Sequence, residues 1–151
     1  MEFSRARVFG PWTLTIQPDL PIYWINCPPI GSYFMRLNVS FGSSAGSDEC
    51  KAGVILHARG NYGVVDEVDS CVISSDGLNY RCSTSNRSLM RCRSDDEWHI
   101  VVDKGNVTLF IRERKCKLKT SFKYQCGRIG LFNHRRHNVT FTNVVITSFN
   151  R

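Results

Sequence analysis

Lys115, Lys117 and Lys119 alternate with Cys116 and Leu118 in a chain of 151 residues. On a strand, where side chains repeat with a period of two, this spacing puts the three ammonium groups on one face and the thiol and leucine on the other. Arg112, Arg114, Lys123, Arg128, Arg135 and Arg136 add to the block, with Glu113 as its one acid between 112 and 136, and the whole chain carries +7. A row of like charges repels itself unless a polyanion neutralises it. The expected site is therefore a basic face of Lys115, Lys117, Lys119, Lys123, Arg135 and Arg136 that takes a sulfated glycan or an acidic protein partner. The competing explanation is an edge strand guarded by lysines against aggregation.

Other chemistries find less support. Phosphate backbones would also suit the charge. The chain nevertheless lacks the aromatic-basic motif of RNA-binding sheets and any recognition-helix pattern, so nucleic acid is not the expected partner. Asp66-Glu67-Val68-Asp69 contains the Glu-x-Asp start of a laminarinase-type motif. Retaining hydrolysis needs a second carboxylate about 5 Å away, and Cys71 and Val72 stand where it would fall. A glycan-active enzyme, or its inactive relative, is thus the alternative function. His134-Arg-Arg-His137 places two cations between its imidazoles, which opposes a metal ion. Asp48-Glu49 and Asp95-Asp96-Glu97 offer oxygen ligands for calcium without an EF-hand spacing, so no cofactor is expected and calcium stays a weak alternative.

Seven cysteines, at 27, 50, 71, 82, 92, 116 and 126, form no CxxC pair. Such scattered cysteine reads as disulfides made in an oxidising compartment. Cys82 with Cys92, and Cys116 with Cys126, enclose short segments a hairpin could close, although connectivity stays open; the odd count leaves one thiol over. Four sequons, at Asn38, Asn86, Asn106 and Asn138, point the same way. The N-terminal Met-Glu-Phe-Ser-Arg-Ala-Arg lacks a signal-peptide core, so a secreted or ectodomain fragment of a larger precursor is expected. No run approaches the ~18 apolar residues of a helical membrane span.

The elements that must position these residues are strands. No window keeps a helical apolar stripe free of glycine or β-branched runs. Short β-rich runs appear at Val8–Ile16, Tyr33–Phe41, Ala52–His57, Gly63–Val65, Val72–Ser74, Trp98–Asp103, Val107–Arg112, Arg128–Phe132 and Val139–Ser148. Residues 98–112 read as a hairpin bent at Lys104-Gly105, and Asn133 to Asn138 as the polar loop of another. Pro18 to Pro29 holds four of the five prolines and reads as an edge or crossover segment. Ser83 to Glu97, polar and charged, reads as a surface excursion. Trp98 opens an apolar strand and belongs in the core. Trp24 either packs over an edge or offers a platform to a sugar.

Residues Asp96-Glu-Trp-His99, Val101 to Phe110, Gly127-Arg-Ile-Gly-Leu131 and Val139-Thr-Phe-Thr-Asn-Val-Val-Ile146 together resemble the laminin-G and concanavalin-like jelly-roll superfamily. The resemblance covers the C-terminal half; in the N-terminal half only Ala52 to His57 and the preceding strand look similar. It implies a single antiparallel β-sandwich over residues 1–151. Such sandwiches host carbohydrate binding, adhesion and glycoside cleavage, so the fold alone does not choose among them.

Overall fold

The computed structural model describes residues 7–18, 22–27, 31–41, 52–58, 71–75, 79–82, 85–91, 96–103, 106–118 and 127–149. Among the described residues twelve strands follow one another: β1 (Arg7–Ile16), β2 (Tyr23–Trp24), β3 (Tyr33–Ser40), β4 (Ala52–Ala58), β5 (Cys71–Ser75), β6 (Asn79–Cys82), β7 (Ser85–Arg91), β8 (Glu97–Asp103), β9 (Asn106–Ile111), β10 (Arg114–Leu118), β11 (Arg128–Asn133) and β12 (Val139–Ser148). Sheet A has the order β1-β12-β3-β8-β9-β10, and sheet B the order β2-β11-β4-β5-β6-β7. All pairs are antiparallel. The result is an all-β sandwich of jelly-roll type.

Alternation decides which side chains enter the core. Tyr33, Met35, Leu37 and Val39 of β3, Trp98, Ile100 and Val102 of β8, and Val107, Leu109 and Ile111 of β9 all face sheet B. They meet Val54 and Leu56, Cys71 and Ile73, and Ile129 and Leu131. Each large side chain buried there contributes about 1.5–3 kcal/mol. In β12 the buried set changes parity, from Val139 and Phe141 to Val144 and Ile146. A register shift between Thr142 and Val145 absorbs that change, with Asn143 at φ 51°. Asparagine tolerates this left-handed geometry better than a branched residue would.

Sheet B is apolar on its outer side as well. Every residue of β4 is buried, and Ile55, Ala58 and Phe132 form a second cluster with Ile22, Trp24 and Val72. Gly130 makes room for this layer, since a Cβ there would come within 2.6 Å of Ile22 Cγ2 and 3.0 Å of Trp24 Cε3. The Arg128 guanidinium stacks over the Trp24 ring at 4.5 Å. Trp24 is therefore packed into the sheet edge.

The surface excursion expected over 83–97 is corrected at Ser85–Arg91, which forms β7 and pairs with β6 at the edge of sheet B. A strand bonded on one side needs no apolar alternation, so its polar sequence hid it. The β2 pair Tyr23-Trp24 likewise lies within the proline-rich segment, at the other edge. The hairpin of 98–112 forms, with Asp103 opposite Asn106. Its bend at Lys104-Gly105, and the expected run Gly63–Val65, lie outside the described residues.

Candidate functional site on the outer face of sheet A

The residues of sheet A that point away from the core are mostly polar. Three strands, β3, β8 and β9, alternate strictly, so each inward apolar residue leaves an outward neighbour. Backbone pairing then aligns these outward residues across strands. Arg36 on β3 faces His99 on β8, His99 faces Phe110 on β9, and Phe110 faces Lys115 on β10. Arg36 and Lys115 are exposed, and Phe110 keeps 36% of its surface accessible. His99 packs against Phe34 with ring centres 5.7 Å apart, and its Nε2 lies 2.7 Å from Glu97 Oε1.

Beside this row is a shallow cleft of about 490 Å³, lined by Asp96, Glu97, His99, Phe110, Ile111, Arg112 and Glu113. A buried network builds its floor. The Asp96 carboxylate accepts hydrogen bonds from Tyr80 Oη at 2.6 Å and from Arg112 Nη1. Its backbone carbonyl accepts one from Asn38 Nδ2 at 3.1 Å. Tyr80 in turn meets Trp98 edge to face, with centroids 5.3 Å apart. Ile111 pairs with Arg114, so Arg112 and Glu113 form the two-residue turn between β9 and β10, at φ 50° and 71°. Positive φ at both positions matches the twist of a tight hairpin but costs roughly 1–2 kcal/mol per non-glycine residue. The Arg112–Asp96 pair offsets part of that cost and fixes where Glu113 is presented.

The predicted basic face divides. Lys115 and Lys117 lie exposed on the outer side of β10, while Cys116 turns inward, half-buried, opposite Leu109. Lys119 and Lys123 lie outside the described residues. Arg136 is exposed, but Arg135 is 1% exposed, with its guanidinium 4.9 Å from the centre of the Phe41 ring. The expectation that Arg135 presents its charge to a ligand is corrected: the loop turns it inward. Asn133 causes this, because its Nδ2 donates to Ile16 O and His137 O while its Oδ1 accepts from the Arg135 amide. The loop and β10 are also far apart. It enters sheet A through β12, four strand spacings from β10, or roughly 19 Å. The two halves do not make one patch.

Other expected residues scatter. Asn106 and Asn138 are exposed, and Asn38 is half-buried with its amide bonded to Asp96. Asn86 lies on β7 and Cys82 on β6, with side chains outside the described residues. Each predicted disulfide needs a partner, Cys92 or Cys126, that also lies outside them. Among the described cysteine side chains, Cys27, Cys71 and Cys116, no two are joined by a disulfide. Glu67, Asp69, Asp48, Glu49 and Asp95 are outside the described residues. Among those described, no three His, Cys, Asp or Glu side chains gather as a metal site, and no helix is long and apolar enough to cross a membrane.

Reading the sequence alone missed Arg36 and Phe110, and gave Glu97 and His99 no place in a glycan site. Their outward parity was visible in the alternation, but their alignment depends on which strands pair and in what register.

No family model and no curated protein matches the chain. Solved structures do. The sandwich is similar to part of an Aspergillus kawachii β-fructofuranosidase, with TM-score 0.72, 15% identity, and coverage of 95% of this chain and 27% of that one. A fructosyltransferase from A. japonicus gives TM-score 0.70 at 14% identity, covering 99% of this chain and 27% of that one. The chain thus spans about a quarter of the length of these enzymes. A Bacillus subtilis protein of unknown function with a galectin-like fold matches along most of both chains, 97% and 91%, with TM-score 0.53 and 12% identity. At such identities the likeness is one of fold.

Proposed function

We propose that this chain is a non-catalytic carbohydrate-binding sandwich whose outer face of sheet A takes an acidic glycan. The observation that carries the reading is Phe110, an exposed ring held between Lys115 on one neighbouring strand and His99 on the other. An aromatic face offers an apolar platform to the C–H side of a pyranose. An ammonium group beside it makes charge-assisted hydrogen bonds to carboxylate or sulfate oxygens. Glu113 in the adjoining cleft can accept hydrogen bonds from sugar hydroxyls. The net charge of +7 steers an anionic partner toward the protein. A secreted or ectodomain setting, with glycans on Asn86, Asn106 and Asn138, and the laminin-G-like pattern of residues 96–146 agree with this role. So does the likeness in fold to parts of enzymes named for fructose-containing substrates.

The test is salt elution from a heparin column, wild type beside Lys115→Glu/Lys117→Glu, with circular dichroism to verify folding. Late elution that collapses in the variant supports the reading. Early elution of both would mean that the lysines only guard an edge strand. Equally tight retention on immobilised single-stranded DNA would replace the glycan with phosphate backbones in general.

A further inference from the structure

The row of outward residues also has a direction and a length. Adjacent strands lie about 4.8 Å apart, so Arg36 on β3 and Lys115 on β10 stand roughly 14 Å apart across β8 and β9. A cation marks each end, and His99 and Phe110 fill the space between. The rows on either side are different. On one, Phe34, Val101 and Thr108 lead to Lys117, with a cation at one end alone. On the other, Asn38 faces Glu97, whose carboxylate repels an anion. The central row is thus the one of the three with a cation at both ends, and the acid of Glu97 on one side disfavours an anionic chain there.

Resting on the carbohydrate reading, we infer that the ligand lies across the strands as an acidic oligosaccharide of roughly three or four rings, a length set by the strand spacing. One anionic group meets Lys115, a ring stacks on Phe110, and a second anionic group reaches Arg36. Glu97 serves as a positioning residue, holding the His99 imidazole between the two ends. Arg36 is then a length sensor: a short ligand anchored at Phe110 and Lys115 never reaches it.

Calorimetric titration with oligosaccharides of increasing length tests this directly. Two series are used, oligogalacturonates carrying only carboxylates and heparin fragments carrying sulfates as well, so the source of the anionic group is also identified. Lys115→Gln should weaken every length by roughly ten- to a hundredfold, the scale of one lost charge-assisted hydrogen bond. Arg36→Gln should weaken the tetrasaccharide by a similar factor and leave the disaccharide unchanged. If Lys115→Gln weakens binding while Arg36→Gln changes no length, the cross-strand track is wrong and the carbohydrate reading stands. Equal weakening of all lengths by Arg36→Gln would also overturn the track. If neither series binds the wild type, both readings fail.

Discussion

The Arg112 guanidinium donates to the Asp96 carboxylate, joining the turn between β9 and β10 to the first residue before β8. The acid is 2% exposed at its side chain and the base 26%. The pair therefore has one partner without access to water and one that keeps some. This asymmetry decides which deletion costs more.

Arg112→Gly relieves the backbone, since glycine adopts φ 50° freely, yet it takes a charged donor from the buried Asp96 carboxylate. Breaking a buried pair in this way costs about 3–5 kcal/mol. Relief of the turn returns roughly 1 kcal/mol. Urea denaturation should show Arg112→Gly destabilised by about 2–4 kcal/mol. A variant as stable as wild type would mean that the turn geometry, not the ion pair, governs this end of the sandwich.

The Tyr33 hydroxyl is fully buried in the core, where the His57 backbone approaches it without forming a well-aligned hydrogen bond. Burial pushes its pKa well above the usual tyrosine value, aided by the Cys71 and Cys27 thiols and tempered by the His57 backbone. In the unfolded chain Tyr33 ionises near pH 10. Its neutral folded form is thus fully stabilising below that pH, and stability falls as the pH rises toward the folded pKa. Tyr33→Phe should be neutral or stabilising by up to about 1 kcal/mol near pH 7, because no well-aligned hydrogen bond is lost. Above about pH 10 the wild type should lose stability more steeply than the variant. Parallel alkaline profiles would show that the hydroxyl is solvated after all.

The sandwich itself was legible because β3, β8, β9 and, on either side of its register shift, β12 carry the alternation that burial on one face demands. Trp98 was placed correctly by the same logic, and it is 1% exposed. What stayed hidden were strands whose sequences escape that demand, above all the edge strands β2 and β7. The candidate site was half legible. Lys115 and Lys117 betray their shared face by spacing alone, whereas Arg36, His99 and Phe110 come from three segments that only backbone pairing aligns. Arg135 misled for a local reason. Nothing in His-Arg-Arg-His says which arginine Asn133 will turn under Phe41.

That distinction has a consequence for binding. Arg135→Gln removes a cation stacked on Phe41 and should cost about 1–2 kcal/mol of stability. In the folded protein it should leave heparin elution nearly unchanged. Arg136→Gln should spare stability to within about 0.5 kcal/mol. If Arg135→Gln abolishes heparin retention while the fold is intact by circular dichroism, the buried placement of that side chain is wrong.

Phe110 separates a carbohydrate site from a merely basic surface. Its ring is exposed, so Phe110→Ala should change stability by less than about 1 kcal/mol. A polyanion held by charge alone would be indifferent to this substitution, and its affinity would vary only with salt. A pyranose stacked on the ring would lose roughly tenfold in affinity, and Phe110→Trp would keep or improve it. The measurement is titration of an acidic oligosaccharide at low and high salt into wild type and both variants. A loss in Phe110→Ala that persists at high salt, where Lys115 is screened, would assign the ring its own share of binding. Identical affinities for all three proteins would reduce the face to its lysines and remove the reason to call its ligand a sugar.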